Sequence, residues 1–168
     1  GSRLQQPGSI LDLGPTFCEL AGAQPPPSQD GVSLLPMLQT GNDAGERMVV
    51  CEWVQPMGDR VVPGRMLRAG RWKLIHYHDD DIDDQLFDLD DDPDELHNLA
   101  ANEPGRHADL LRALQADWEP DRVAADFLEK GRQLAVLGRC YRAAPPPEPA
   151  AETWRVPASA AALPGRVL

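Results

Sequence analysis

A chain of 168 residues with a net charge of −11 and a pI near 4.6 is long enough for one domain with a real core. The acidic balance repels nucleic acid and anionic membrane surfaces, and no apolar run approaches the ~20 residues that span a bilayer. Three widely spaced cysteines, Cys18, Cys51 and Cys140, suit free thiols in a reducing compartment better than a disulfide framework.

Ser9 can cap a helix whose first turn carries Asp12, but Pro15 interrupts that turn. The spacing therefore predicts a clean helix from Pro15 to Ala21, ended by Gly22. Three prolines within 24–28 make an extended connection, Asp30-Gly31 turns the chain, and Ser33 caps a short helix closed by Gly41. Residues 47–54, RMVVCEWV, put Val49, Cys51 and Trp53 on one face and Met48, Val50 and Glu52 on the other. Two largely apolar faces predict a central strand. The Gly- and Pro-containing stretch 55–63 reads as a loop.

Two strand-like runs, 65–69 and 72–78, meet at Gly70, where a tight hairpin needs a positive φ. An acidic loop of Asp79, Asp80, Asp81, Asp83 and Asp84 leads to a third strand, 85–89, polar enough to be read as solvated. Asp92-Pro93-Asp94-Glu95 combines a fixed φ with carboxylates that can bond backbone N–H groups, which predicts a turn followed by one helical turn. From residue 102 the period becomes helical. Asn102 and Pro104 open one helix with Leu110, Leu111, Leu114 and Trp118 on a stripe. Pro120-Asp121 starts another, with Val123, Phe127, Leu134, Leu137 and Tyr141 along one side; Gly131 weakens it by about 1 kcal/mol relative to alanine. Residues 143–168 are rich in Ala and Pro, have Trp154 as their only large apolar anchor, and read as an extended tail. The fold class is α+β: a small antiparallel sheet of about four strands with flanking helices. The meander occupies 46–100 and the two helices 101–142.

Leu67-Arg68-x-Gly70-x-Trp72-Lys73-Leu74, followed by Leu86-Phe87-Asp88-Leu89-x-x-Asp92-Pro93-x-Glu95-x-x-Asn98-Leu99, resembles the C-terminal subdomain of the sulfatases, in the alkaline-phosphatase-like superfamily. Three earlier segments agree in order: Asp12-Leu13-x-Pro15-Thr16 with Leu20-Ala21-Gly22; Asp30-Gly31-x-Ser33-Leu34-x-Pro36-x-Leu38; and Arg47-x-Val49-x-x-Glu52. Phe87 stands where the family usually has tyrosine. Pro63, Met66 and Arg68, and two helices with Trp118 between them, are most similar to the choline-sulfatase branch.

The resemblance implies a part of a longer hydrolase, with 1–45 closing a catalytic α/β domain and Arg68, Gly70, Asp88, Asp92, Pro93, Glu95 and Asn98 forming a structural motif. It implies cleavage of a sulfate ester, such as choline sulfate, by a formylglycine made within a Cys/Ser-x-Pro/Ala-x-Arg signature and assisted by calcium. The segments that follow Cys18, Cys51 and Cys140 all lack that arginine. Nucleophile and calcium ligands are therefore expected in a missing upstream catalytic domain, and no catalytic residue or metal ligand is assigned here. The implied partners are that domain and, through 120–168, a second subunit.

Within the chain, Asp88-x-Asp90-x-Asp92 begins like an EF-hand loop, but Pro93 replaces the glycine and Leu99 the bidentate glutamate. A solvated acidic loop is the plainer reading. His76 and His78, two apart on a strand, point the same way and lack a third ligand at a metal-site spacing. Glu52 beside Trp53 could hold a quaternary ammonium by charge and cation–π attraction; the plainer alternative is a strand glutamate paired with Arg47 or Arg68. The rival function is a free-standing acidic module that binds a protein.

Overall fold

The structure, a computed structural model, describes residues 6–41 and 47–143; Trp154 and the expected extended tail lie outside them. Strand β1 (Met48–Met57) turns at Gly58 into β2 (Arg60–Ala69), which turns at Gly70 into β3 (Trp72–Tyr77). Both glycines hold a positive φ, 68° and 55°, which side-chain-bearing residues adopt at a cost. After the acidic loop comes β4 (Gln85–Asp88), and all neighbours pair antiparallel in the order β1-β2-β3-β4. Register runs Val50, Leu67, Leu74, Leu86 across one row, so one face of the sheet is aliphatic at its centre.

Helix α3 (Pro104–Gln115) closes that face. Leu110 and Leu114, one turn apart, pack with Leu67, Leu74, Leu86 and Trp118 into the core, with Val123 at its margin. Before the sheet, a 3-10 turn (Ile10–Asp12) capped by Ser9 runs directly into α1 (Leu13–Leu20), and α2 (Leu35–Thr40) ends at Gly41, φ 63°. Pro15 does not delay the helix as expected. It sits in the first turn, where N–H groups have no intrahelical acceptor to lose.

Four other expectations fail. Strand β1 lies at the edge of the sheet among the described residues, because two-faced apolarity reports what covers the faces and says nothing about lateral neighbours. The stretch 55–63 is a second hairpin, with Pro63 inside β2 opposite Val54. Strand β4 is not solvated: Leu86, Phe87 and Asp88 are buried. The turn after Asp92 leads to no helix, and Glu95 there holds a left-handed φ of 57°.

Two compact units divide the chain, Gly1–Phe127 and Leu128–Leu168. Helix α4 (Pro120–Ala143) continues through Gly131, and Phe127, Leu134, Leu137 and Tyr141 on it are exposed. No helix among the described residues is long and apolar enough to cross a membrane.

Candidate functional site

The motif residues do structural work that can be read bond by bond. The Asp88 carboxylate, on buried β4, pairs with the Arg71 guanidinium, which also holds Asp91 at 2.7 Å. Asp92 accepts from the His97 backbone N–H at 2.8 Å, and the Lys73 ammonium closes on Glu95 at 2.6 Å. The Asn98 amide stitches two segments: its oxygen accepts from Leu86 N and Ala100 N, both at 3.0 Å, and its nitrogen donates to the Asp84 carbonyl at 2.9 Å. Arg68 donates from Nε to the Gly70 carbonyl at 3.3 Å.

The earlier segment works alike. Buried Asp12 accepts from Ser9 N at 2.6 Å and Val32 N at 3.0 Å and pairs with Arg47 at 2.5 Å. Thr16 donates to the Asp12 carbonyl and accepts from Leu34 N. Burial pushes the Asp12 carboxyl up, but these donors and the Arg47 charge outweigh it and hold it below the usual carboxylate range.

The substrate-pocket pair, Glu52 and Trp53, does not form one pocket. Neighbours on a strand point to opposite faces. Glu52 meets Arg65 at 2.8 Å, and that guanidinium also bonds Asp117 at 2.7 Å and lies 5.3 Å from the centre of the Trp118 ring. The partner of Glu52 is thus Arg65, its cross-strand neighbour, instead of Arg47 or Arg68. Trp53 lies over Gly64, where an added Cβ would come within 2.5 Å of the indole, and meets Tyr77 edge-on at 5.5 Å.

One cluster escaped the sequence reading. Asp84 presents one oxygen to His76 Nδ1 and the other to His107 Nε2, each at 2.7 Å, so a single carboxylate ties β3 to α3. It lines an open cleft of about 500 Å³ with Asp79, Asp80, Asp83 and Asn98. Burial pushes the Asp84 carboxyl up; the two imidazole hydrogen bonds and their charge overcome this and set it below the ordinary value. His107 lies on a helix 31 positions from His76, too far in sequence for local spacing to reveal. His78 shares the face of His76, as alternation predicts: both meet Trp118 edge-on, at 6.1 and 5.6 Å, and His78 approaches Asp121.

These residues do not fit the formylglycine and calcium that the resemblance implies. Among the described residues no group of three or more His, Cys, Asp and Glu side chains could hold a metal ion, and the EF-hand-like aspartates are engaged with Arg71 and the His97 backbone. Cys18, Cys51 and Cys140 are free thiols outside any nucleophile signature.

The family described as N-sulphoglucosamine sulphohydrolase, C-terminal, matches residues 4–121. Arylsulfatase K of Xenopus laevis is 31% identical over 144 residues, covering 82% of this chain and 27% of that protein. The Delta 4,5-hexuronate-2-O-sulfatase of Bacteroides thetaiotaomicron is 40% identical over 103 residues, 58% of this chain and 20% of its own length. The choline-sulfatase of Rhizobium meliloti is 40% identical over 102 residues, 59% and 19% respectively. Among solved structures, BT4656 in complex with its substrate D-glucosamine-2-N,6-O-disulfate aligns with a TM-score of 0.51 at 25% identity, over 66% of this chain and 25% of its own. The Ps i-CgsB structure aligns at 0.55 over 69% and 25%; at 24% identity it speaks to the fold alone. The chain thus spans about a quarter or less of the proteins it matches.

Proposed function

Because the chain belongs to the sulfatase C-terminal family, whose match runs across residues 4–121, we propose that it serves as the C-terminal subdomain of a hydrolase that cleaves sulfate esters. The rest of that enzyme carries the nucleophile and the calcium, for which the described residues of this chain offer no fitting group. Its own contribution is a rigid platform: a sheet sealed by α3 on one face, with its loops pinned by Asp88, Asp92 and Asn98. The observation that carries this reading is the family match, supported by relatives that are themselves sulfatases. No similarity supports a free-standing acidic interaction module.

The substrate choices follow the relatives: choline sulfate, an aryl sulfate, or a 2-O-sulfated unsaturated hexuronate. Assaying sulfate release by the complete gene product against these three tests the reading, and no release from any of them overturns it. Residues 120–168 are read as a contact between subunits, supported by the exposed Phe127, Leu134, Leu137 and Tyr141. Light scattering on the complete protein with and without 120–168 decides this, an unchanged molar mass refuting it.

A further inference from the structure

Side chains alternate between the two faces of the sheet, and α3 packs on the one that carries Leu67, Leu74 and Leu86. On the other face Trp53, Gly64 and Tyr77 form one cross-strand row. A Cβ built at Gly64 would lie 2.5 Å from Trp53 Cε2, 2.6 Å from Cζ2 and 2.7 Å from Nε1. Consecutive ring atoms at nearly equal distance put that point over the face of the ring, not at its rim, so the indole lies flat on the glycine. Tyr77 stands beside it, its ring turned 77° from the indole with centroids 5.5 Å apart. Both aromatics are partly exposed.

The polar tips of this row are unused. Among the described residues the Trp53 indole N–H, the Tyr77 hydroxyl and the Gln55 carboxamide, two positions along the same face, have no hydrogen-bond partner, and the Trp53 nitrogen is not sealed from solvent. An aromatic pair belonging to a core finds partners for such groups. A flat ring with open donors and acceptors around it suits a pyranose, whose C–H face stacks while its hydroxyls bond at the rim.

Farther along β2 on this face, Arg68 gives its Nε to the Gly70 carbonyl and keeps the rest of its fork open among the described residues. It is four positions from Gly64, about 13 Å along the strand and so within reach of a short oligosaccharide, with partly exposed Met66 between. The other cations of the face are engaged, Lys73 by Glu95 and Arg60 by Asp79 and Asp81. The net charge of −11 disfavours a second copy of this chain as occupant, whereas a small ligand meets mainly the local charge, since physiological salt screens beyond ~8 Å.

We propose that the face bearing Trp53, Tyr77 and Arg68 binds a uronate-containing saccharide, with one pyranose ring stacked on Trp53 and a carboxylate paired with Arg68. The assignment goes beyond the hydrolase reading above and stands without it, because binding requires no cleavage.

Amide NMR of the isotope-labelled 168-residue chain, titrated with an unsulfated disaccharide of unsaturated hexuronate and N-acetylglucosamine, tests it. The Trp53 indole N–H signal, identified by its loss in Trp53→Phe, should shift and saturate at millimolar sugar. Trp53→Leu, read from the Met66 and Tyr77 amides, should weaken binding about tenfold, the worth of a well-placed aromatic contact. Gly64→Ala, which lifts the ring, should weaken it several-fold. Arg68→Gln should weaken the uronate disaccharide several-fold and leave the weaker binding of maltose, which has no carboxylate, unchanged. No shift of the Trp53 signal at millimolar disaccharide overturns the proposal, as does binding that Gly64→Ala and Arg68→Gln both leave intact. A complete gene product in which the disaccharide no longer reaches Trp53 makes the face an internal contact and overturns it too. Sulfate release by that product is scored separately: release without saccharide binding removes the surface alone, and binding without release removes the functional reading alone.

Discussion

Asn98 illustrates how much one amide can hold. Replacing it with alanine leaves Leu86 N without its acceptor inside the core and frees the Asp84 carbonyl, so Asn98→Ala should cost about 1–3 kcal/mol, read as a lower urea midpoint at unchanged slope. Asn98→Asp keeps the acceptor, loses the donor, and should fall between. Asp84 gives a pH signature with a definite sign. Its folded carboxyl titrates below its unfolded value, so its stabilisation is full above the unfolded pKa of ~3.9 and lost as pH falls through the lower folded one. Melting temperature against pH should therefore drop below about pH 4, more steeply in the native chain than in Asp84→Asn; parallel curves would refute the coupling. Glycines separate two kinds of crowding. At Gly31 a Cβ would lie 2.0 Å from the Leu11 carbonyl oxygen, which is backbone and cannot step aside, whereas at Gly64 it meets the Trp53 ring, which can turn. Gly31→Ala should lower the melting temperature more than Gly64→Ala, and only the latter should alter the near-ultraviolet circular dichroism of Trp53 against Tyr77.

At the scale of elements, α3 and α4 differ in what they bury. Leu114→Ala removes a fully buried side chain between α3 and the sheet and should cost about 3 kcal/mol, while exposed Leu134→Ala in the 168-residue chain should stay within about 0.5 kcal/mol; thermal or urea unfolding of both variants decides it. Which elements could be read beforehand follows from where their information lies. The Gly70 hairpin, α3 and the Gly41 stop are local signals, carried by a positive φ or a 3.6-residue stripe, and each forms where expected. Strand β4 was misjudged because its polar residues are satisfied from afar, Asp88 by Arg71 seventeen positions back and Leu86 N by Asn98 twelve ahead. The position of β1 and the Asp84 cluster depend on sheet order and helix docking, which no window of sequence contains.

For the whole molecule, the 168-residue chain alone should release no sulfate from a nitrophenyl ester above a buffer blank, since its cysteines lie outside a nucleophile signature and its described residues hold no group of metal ligands to stabilise developing charge. The edge position of β1 bears on how the isolated chain behaves on storage. Ten residues long, it offers its outer row of peptide groups unpaired among the described residues, flanked by exposed Met48 and Val50 and carrying Glu52 as its only charge. Natural edges are blunted with lysines, bulges or brevity; this one has Pro56 near its end and little else. Two such edges can add to each other strand to strand, so the isolated chain should associate during storage in concentrated solution, and Val50→Lys should slow that association as read by light scattering.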